Sequence, residues 1–217
     1  MRPARLVTVA AATAMLALAP AAFGASRVCN LVADPQGDTH HFPNHPTPAD
    51  SYVSKDLDIV GGDIASNRLH LTAVIRLVSL READPESPTG RTWGAVFTVG
   101  STTYKLQARY AANGHSATAW NETTGAGIGN AGVVLDEAAR EVRISAPLAY
   151  FGLKPGQQVT GITLTAGQFY GTGPVSAGLP VDFGAYAGSA GADSALDTAT
   201  TTKSYRAGTA SCVAVGR

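Results

Sequence analysis

Alternation of apolar and polar side chains is the feature that most limits how this chain can fold. From Arg68 to Val78 the apolar and polar residues fall on opposite faces: Leu69, Leu71, Ala73, Ile75 and Leu77 against Arg68, His70, Thr72 and Arg76. Successive side chains of a β-strand point to opposite faces, so this segment predicts a half-buried strand. An apolar stripe with helical period is not sustained anywhere in the sequence.

The same alternation recurs in short segments separated by clusters of glycine and proline. Two hairpins are predicted, one turning at Gly100-Ser101 and the other at residues 137–140. A single helical turn is predicted, beginning at Pro147 and ending at Gly152. The remaining predicted strands are 93–99, 104–110, 115–121, 132–136, 141–145, 158–166 and a last one near 204–207. Short strands at intervals of about ten residues predict an all-β fold, an antiparallel β-sandwich of jelly-roll type.

Residues 1–24 have the pattern of a bacterial export signal. Two arginines precede the apolar stretch 6–22, and small residues flank Phe23 where a signal peptidase would cut. The stretch is interrupted by Thr8, Thr13 and Pro20 and is shorter than the roughly 20 residues that span a bilayer. We therefore expect a secreted, extracellular, monomeric protein without a membrane span. Its single domain is expected to comprise residues 25–217, with a long loop rich in Gly, Ala, Ser and Thr at about 167–202.

Cys29 and Cys212 are the only cysteines, and they lie near the two ends of the mature chain. A protein exported from the reducing cytosol is expected to pair them. A redox role is disfavoured because the sequence has no Cys-x-x-Cys spacing and no third thiol. The predicted disulfide joins the first strand to the last.

The balance of charged residues excludes a protein that binds nucleic acid through an overall positive charge. The full chain has 16 Lys and Arg against 16 Asp and Glu, and removing Arg2 and Arg5 leaves 14 against 16. Nucleic-acid binding needs a basic footprint, and the sequence has no basic run.

The segment Asp34-Pro35-Gln36-Gly37-Asp38 places two carboxylates around a turn. Carboxylate and exposed carbonyl oxygens are the ligands that Ca²⁺ prefers, so the segment predicts a calcium site. Asp56, Asp58 and Asp63 follow in the sequence, and Asp193 and Asp197 would reach the same edge if the disulfide brings the termini together. The alternative is that Asp34 and Asp38 only cap their own turn.

Other groups of residues give weaker indications of a metal-binding or catalytic site. His40, His41 and His45 form a cluster without a helix or a familiar zinc spacing, which favours a solvated loop. The segment 114–118 lacks the second glycine of a nucleophile elbow. A pair of carboxylates for glycoside hydrolysis remains open, because distant strands can bring such a pair together.

Two aromatic residues are candidate ligand contacts, Trp120 and Tyr110. An exposed ring can stack on a sugar ring, and Trp120 lies on the strand face opposite Ala117 and Ala119. The alternative is that the aromatics pack in the core, which is the expectation for Trp93 because it is in phase with Phe97.

The N-terminal half resembles a known superfamily. The Asp34 to Asp38 motif, a proline-rich gap, the segment 57–60 and the strand 69–77 followed by Leu80 are similar to the start of the carbohydrate-binding β-sandwich superfamily. That superfamily includes family 9 carbohydrate-binding modules, DOMON-like domains and the C-terminal module of glucodextranase. The resemblance covers about residues 34–110 and implies an extracellular sandwich with structural Ca²⁺ and, in some members, sugar or cell-surface binding. Carried over by position, it assigns Asp34, Asp38 and Asp58 to metal and no residue to catalysis. The paired aromatic clamp of the family 9 modules has no match here.

These observations predict a secreted, non-catalytic β-sandwich module that binds a polysaccharide or another cell-surface ligand and is stabilised by calcium. Two alternatives stay open. One is a secreted hydrolase whose carboxylates or histidines converge from distant loops. The other is a structural or protein-interaction module of the envelope.

Overall fold

The computed structural model describes residues 29–38, 55–81, 90–111, 114–169, 195–213 and 215. These residues form an antiparallel β-fold with one short 3₁₀ turn, Leu148–Phe151. The strands are β1 Val32–Ala33, β2 Ile59–Ser66, β3 His70–Leu77, β4 Gly90–Val99, β5 Thr102–Ala111, β6 Gly114–Asn121, β7 Ala126–Asp136, β8 Glu141–Pro147, β9 Gln158–Phe169, β10 Ala195–Thr200 and β11 Tyr205–Arg206. The predicted all-β class is confirmed.

The strands belong to one sheet that curls back on itself. Their order is β1-β2-β3-β8-β7-β6-β5-β4-β9-β10, and β11 pairs with β9. Strand β7 belongs to both layers, because Ala126–Ala131 runs beside β6 while Gly132–Asp136 pairs with β8. The curl makes a sandwich-like pair of layers and brings β1 and β2 close to β10.

The core lies between the two layers and follows the predicted alternation. One layer contributes Trp93, Phe97 and Leu106, and the other contributes Leu71, Ile75 and Ile144, all fully buried. Leu69 departs from the prediction, since its side chain is 69% exposed. It lies before β3 in a tight turn in which Asn67 Oδ1 accepts hydrogen bonds from the N–H groups of Leu69 and His70, both at 2.7 Å.

The predicted turns are confirmed. Gly100 joins β4 to β5 with a φ of 63°, a left-handed conformation that favours glycine. Residues 137–140 join β7 to β8. The 3₁₀ turn follows Pro147 and ends at Gly152, whose N–H donates to the carbonyl oxygen of Ala149 at 3.3 Å.

Strand β10 was not predicted. The composition predicts a loop at about 167–202, whereas β9 continues to Phe169 and β10 occupies Ala195–Thr200. Asp197, Thr198 and Thr200 of β10 are polar and Ala199 is the only apolar residue among them, so this part of the sequence shows no apolar–polar alternation that would signal a strand. The residues between these two strands lie outside the described part of the chain. The predicted last strand is confirmed by β11.

The two ends of the domain are joined covalently and by hydrogen bonds. Cys29 is disulfide-bonded to Cys212 with a Cα–Cα distance of 5.3 Å, which confirms the predicted pairing. On β11 the buried Tyr205 hydroxyl accepts a hydrogen bond from the N–H of Ser66 at 2.8 Å and lies 3.1 Å from the carbonyl oxygen of Thr209, to which it donates. The C-terminal segment is therefore attached to the end of β2.

Candidate functional site

The predicted calcium motif forms a turn directly after β1. Gly37 has a φ of 88°, and its N–H donates to both carboxylate oxygens of Asp58, at 3.1 and 2.9 Å. Asp58 is buried and immediately precedes β2. The turn that carries Asp34 and Asp38 is therefore held against the start of a core strand.

Asp197 completes an acidic cluster from the other end of the chain. A carboxylate oxygen from each of Asp34, Asp38 and Asp197 lies within 4.8 Å of the other two. Asp197 is 4% exposed on β10, and its Oδ2 accepts a hydrogen bond from the N–H of Ile59 at 2.5 Å. Asp34 is half-buried and Asp38 is exposed, so the cluster runs from the interior to the surface. We call Asp34, Asp38, Asp58 and Asp197 the aspartate cluster.

The cluster is electrostatically strained. Burial, followed by the negative charges of Asp197, Asp38 and Asp58, raises the pKa of Asp34 from 3.8 to about 7. Burial is also the largest cause that raises the pKa of Asp197, against the opposing hydrogen bonds from the backbone of Ile59 and Thr198. The buried Oδ2 of Asp34 accepts no hydrogen bond from the described residues. The aspartate cluster therefore needs a positive charge to compensate its buried carboxylates.

Two other buried aspartates, Asp56 and Asp63, are each paired with an arginine. Asp56 pairs with the buried Arg91 at 2.6 Å, and it also accepts hydrogen bonds from Ser79 Oγ and from the N–H of Arg81. Asp63 pairs with Arg76 at 2.7 Å and accepts a hydrogen bond from the N–H of Leu31 at 2.8 Å. Within the described ranges, no ion pair of this kind joins a lysine or arginine to the aspartate cluster.

The two predicted aromatic contacts lie on opposite faces of their layer. Tyr110 points to the interior beside the core, where its ring centroid is 4.9 Å from the guanidinium carbon of Arg91. Trp120 is paired in register with Lys105 and points away from the core. Its indole Nε1 is buried and has no hydrogen-bond acceptor among the residues that the structure covers. The fold therefore separates Tyr110 from Trp120.

The remaining candidates are placed as follows. Trp93 is buried in the core, as expected, and its Nε1 donates to the carbonyl oxygen of Asp56 at 3.0 Å. Ser116 lies within strand β6, without the strand-to-helix turn that a nucleophile elbow needs. His40, His41, His45 and Asp193 lie outside the described residues.

The pairing of Arg91 with Asp56 could not be predicted from the sequence, since a single arginine in a strand does not indicate its partner. Asp197 was linked to the motif only through the predicted disulfide. Among the described residues, the structure contains no helix with the length and hydrophobicity that crossing a bilayer requires.

Comparisons of the chain with protein-family models, with curated proteins and with solved structures find no match. The resemblance to the carbohydrate-binding superfamily therefore rests on the residues of the sequence alone.

Proposed function

We propose that this chain is a secreted, non-catalytic β-sandwich module that is stabilised by Ca²⁺ and binds carbohydrate or another cell-surface ligand. The observation that carries the calcium part is the aspartate cluster, with oxygens of three carboxylates within 4.8 Å of one another. The Cys29–Cys212 disulfide supports the proposed export, because such bonds persist in oxidising compartments.

The donor set favours a hard cation. The cluster offers only carboxylate oxygens among its side chains, and oxygen is the donor that Ca²⁺ selects, whereas zinc sites usually include His or Cys. Asp34, Asp38 and Asp197 would ligate the ion directly. Asp58 would hold the Gly37 turn in position through the two hydrogen bonds that its carboxylate already accepts.

A bound Ca²⁺ would join three distant parts of the chain. The turn after β1, the start of β2 and the edge strand β10 all contribute to the cluster. The ion would offset the burial of the Asp34 carboxylate and its repulsion by the neighbouring aspartates, which together raise the pKa of Asp34. By mass action, an ion present at 100 times its Kd stabilises the folded state by about 2.7 kcal/mol.

The test is thermal unfolding of the mature chain in EGTA, in CaCl₂ and in MgCl₂. We expect Ca²⁺ to raise the Tm, and Asp34→Asn and Asp197→Asn to abolish that rise. Glu122→Gln, which removes an exposed carboxylate in the turn after β6, is the matched control and should keep the full response. An equal Tm in EGTA and in millimolar CaCl₂ would refute the calcium site.

One observation favours the hydrolase as a second candidate. A carboxyl group with a pKa of about 7 beside other carboxylates is the arrangement that general acid–base hydrolysis uses. Product release from polysaccharides during long incubation with the wild-type protein, absent with Asp34→Asn, would establish that activity. Unchanged polysaccharide under the same conditions supports the binding module.

A further inference from the structure

We propose that this domain completes its fold only after export, because folding requires at least one of two connections that the cytosol does not allow. One is the Cys29–Cys212 disulfide, and the other is Ca²⁺ bound at the aspartate cluster. This inference rests on the proposed function, from which it takes the calcium site and the export, and it adds a regulation of that site. The reduced, metal-free chain stays unfolded.

The disulfide and the aspartate cluster join the same two parts of the chain. Cys29 lies just before β1, and Cys212 lies after β11. In the cluster, Asp34 and Asp38 follow β1, and Asp197 lies on β10. Each connection therefore closes a loop that contains β2 to β9, which is most of the described fold. Closing such a loop costs conformational entropy that other contacts must offset.

Short strands hold these two ends of the fold. Strand β1 is two residues long and pairs with β2, and β11 is two residues long and pairs with β9. Strand β10 lies at the edge of the sheet, beside β9. The same ends complete the core, since they contribute the buried side chains of Leu31, Val32, Ala199 and Tyr205. The core is therefore closed only when both ends are attached.

The aspartate cluster opposes this closure when no cation is bound. Asp197 reaches Asp34 and Asp38 only when β10 and the turn after β1 are both in place, with carboxylate oxygens within 4.8 Å of one another. Asp197 is buried, and none of the ion pairs among the described residues joins a lysine or arginine to the cluster. Bringing like charges together in a buried site is unfavourable. A bound Ca²⁺ reverses this effect, because the same oxygens then attract one ion.

Both connections can be formed by agents from outside the domain. Cys29 and Cys212 are exposed, and so is Asp38 at the outer side of the cluster. A small disulfide oxidant can react with the two thiols by exchange: the S–S bond forms, and two protons and two electrons pass to the oxidant, which is cleaved to two thiols.

The cytosol lacks both agents. It keeps protein thiols reduced. Extracellular calcium modules have Kd values of about 10⁻⁴–10⁻³ M, whereas cytosolic sensors respond to about 10⁻⁷–10⁻⁵ M. We place the aspartate cluster in the extracellular class, so the site stays empty before export and fills outside the cell.

The two connections should strengthen each other. Once either one has closed the loop, the other forms at a lower entropic cost, because the same chain ends are already close. The coupling is reciprocal: the disulfide raises the affinity for Ca²⁺ by the factor by which Ca²⁺ favours the disulfide over the thiols. We expect the Kd for Ca²⁺ to be weaker in Cys29→Ser/Cys212→Ser than in the wild type by about fivefold or more, the lower end of typical couplings.

The experiment is refolding of the mature chain from urea in dithiothreitol or oxidised glutathione, each with EGTA or millimolar CaCl₂. The temperature is about 37 °C, at which loss of a native disulfide often abolishes folding. Near-UV circular dichroism and thermal scans report packing and cooperativity. We expect neither a near-UV signal nor a cooperative transition in dithiothreitol with EGTA. CaCl₂ should restore both in the reduced chain.

Variants connect this response to the cluster and to the disulfide. In the reduced chain, Asp38→Asn should shift the restored signal to higher Ca²⁺ concentration, whereas the matched control Glu122→Gln should not. The double variant Cys29→Ser/Cys212→Ser should behave like the wild type in dithiothreitol. If the two differ, the serines have changed the fold, and the reduced wild type decides.

The outcomes separate this inference from the proposed function. If the reduced chain in EGTA is folded at the same temperature while CaCl₂ still raises its Tm, the inference is overturned and the calcium site stands. A reduced chain that stays unfolded in millimolar CaCl₂ also overturns it, because the ion then cannot replace the disulfide. Equal Kd values for Ca²⁺ with and without the disulfide contradict the coupling. A Tm of the oxidised protein that does not respond to Ca²⁺ refutes the calcium site itself, and this inference with it.

Discussion

Asp197 Oδ2 accepts a hydrogen bond from the N–H of Ile59 at 2.5 Å, although 138 residues separate them in the sequence. Through this contact the edge strand β10 is fixed to the start of β2, next to the turn that carries Asp34. Burial raises the pKa of Asp34 most, and the next largest cause is the carboxylate of Asp197, which this hydrogen bond holds in place.

Replacing Asp197 by asparagine should lower the pKa of Asp34. The change removes the largest of the neighbouring negative charges that raise this pKa, while burial continues to raise it. In metal-free protein the Asp34 carboxyl carbon, followed by NMR through a pH titration, should titrate at lower pH than in the wild type. An unchanged or higher midpoint would contradict the assigned coupling. Glu122→Gln should leave the midpoint where it is.

Metal-free protein should lose stability as the pH rises from about 4 to 7. The folded state holds a proton on Asp34 up to about pH 7, whereas the unfolded chain releases it near 3.8. The folded state therefore binds more protons in this window, so the free energy of unfolding falls with rising pH. The raised pKa of Asp197 acts in the same direction. Saturating Ca²⁺ should oppose the trend, because the metal binds the ionised carboxylates.

Calorimetric Tm values in EGTA between pH 4.5 and 7.5 test this prediction. The difference between wild type and Asp34→Asn isolates the contribution of Asp34, since other titrating groups are common to both. The wild type should lose Tm relative to the variant as the pH rises. A constant difference across the window would show that Asp34 titrates normally.

Removing the disulfide should destabilise the domain strongly. The bond closes a loop with a sequence separation of 183, which corresponds to about 5 kcal/mol in the chain-entropy model. For a domain of this size that free energy lowers the Tm by about 10–20 °C. Urea unfolding of the double variant Cys29→Ser/Cys212→Ser measures the loss, and mass spectrometry of the wild type should detect no free thiol. A loss below about 1 kcal/mol would mean that the other contacts already fix both termini.

Breaking the buried ion pair between Arg91 and Asp56 should cost more than any surface substitution. Their atoms lie 2.6 Å apart with both side chains nearly inaccessible to water, and Arg91 is enclosed by Trp93 and Tyr110. Arg91→Met leaves the Asp56 charge buried, for which about 3–5 kcal/mol is typical. Chemical denaturation measures this, with Arg143→Met as the control, since its ion pairs are partly exposed. Equal losses in the two variants would contradict the argument.

Alternation predicted those strands whose faces differ in polarity. Strands β3, β4 and β5 show it clearly, and Gly100 marks the turn between the last two. Strand β2 lacks this signal because Gly61 and Gly62 interrupt it: a Cβ on Gly62 would lie 2.2 Å from the carbonyl oxygen of Val74. The first half of β7 also lacks the alternating pattern, because it contains glycines that leave space for the rings of Trp120 and Tyr150.

Only the part of the candidate site that is close in sequence could be predicted. Asp34 and Asp38 are close in sequence, so their turn is visible there. The approach of Asp197 depends on how β9 and β10 pair, and the role of Asp58 depends on the N–H of Gly37, which no side-chain pattern reveals. The opposite orientations of Tyr110 and Trp120 follow from their register across β5 and β6. That register can be assigned only once the strands are known to be neighbours.

Strand β7 crosses from one layer to the other without a break in the chain. Because its two halves hydrogen-bond to β6 and to β8, neither layer can separate from the other without disrupting a strand that both share. Unfolding should therefore proceed as a single cooperative event, and amide protons at this crossing should be among the last to exchange with solvent.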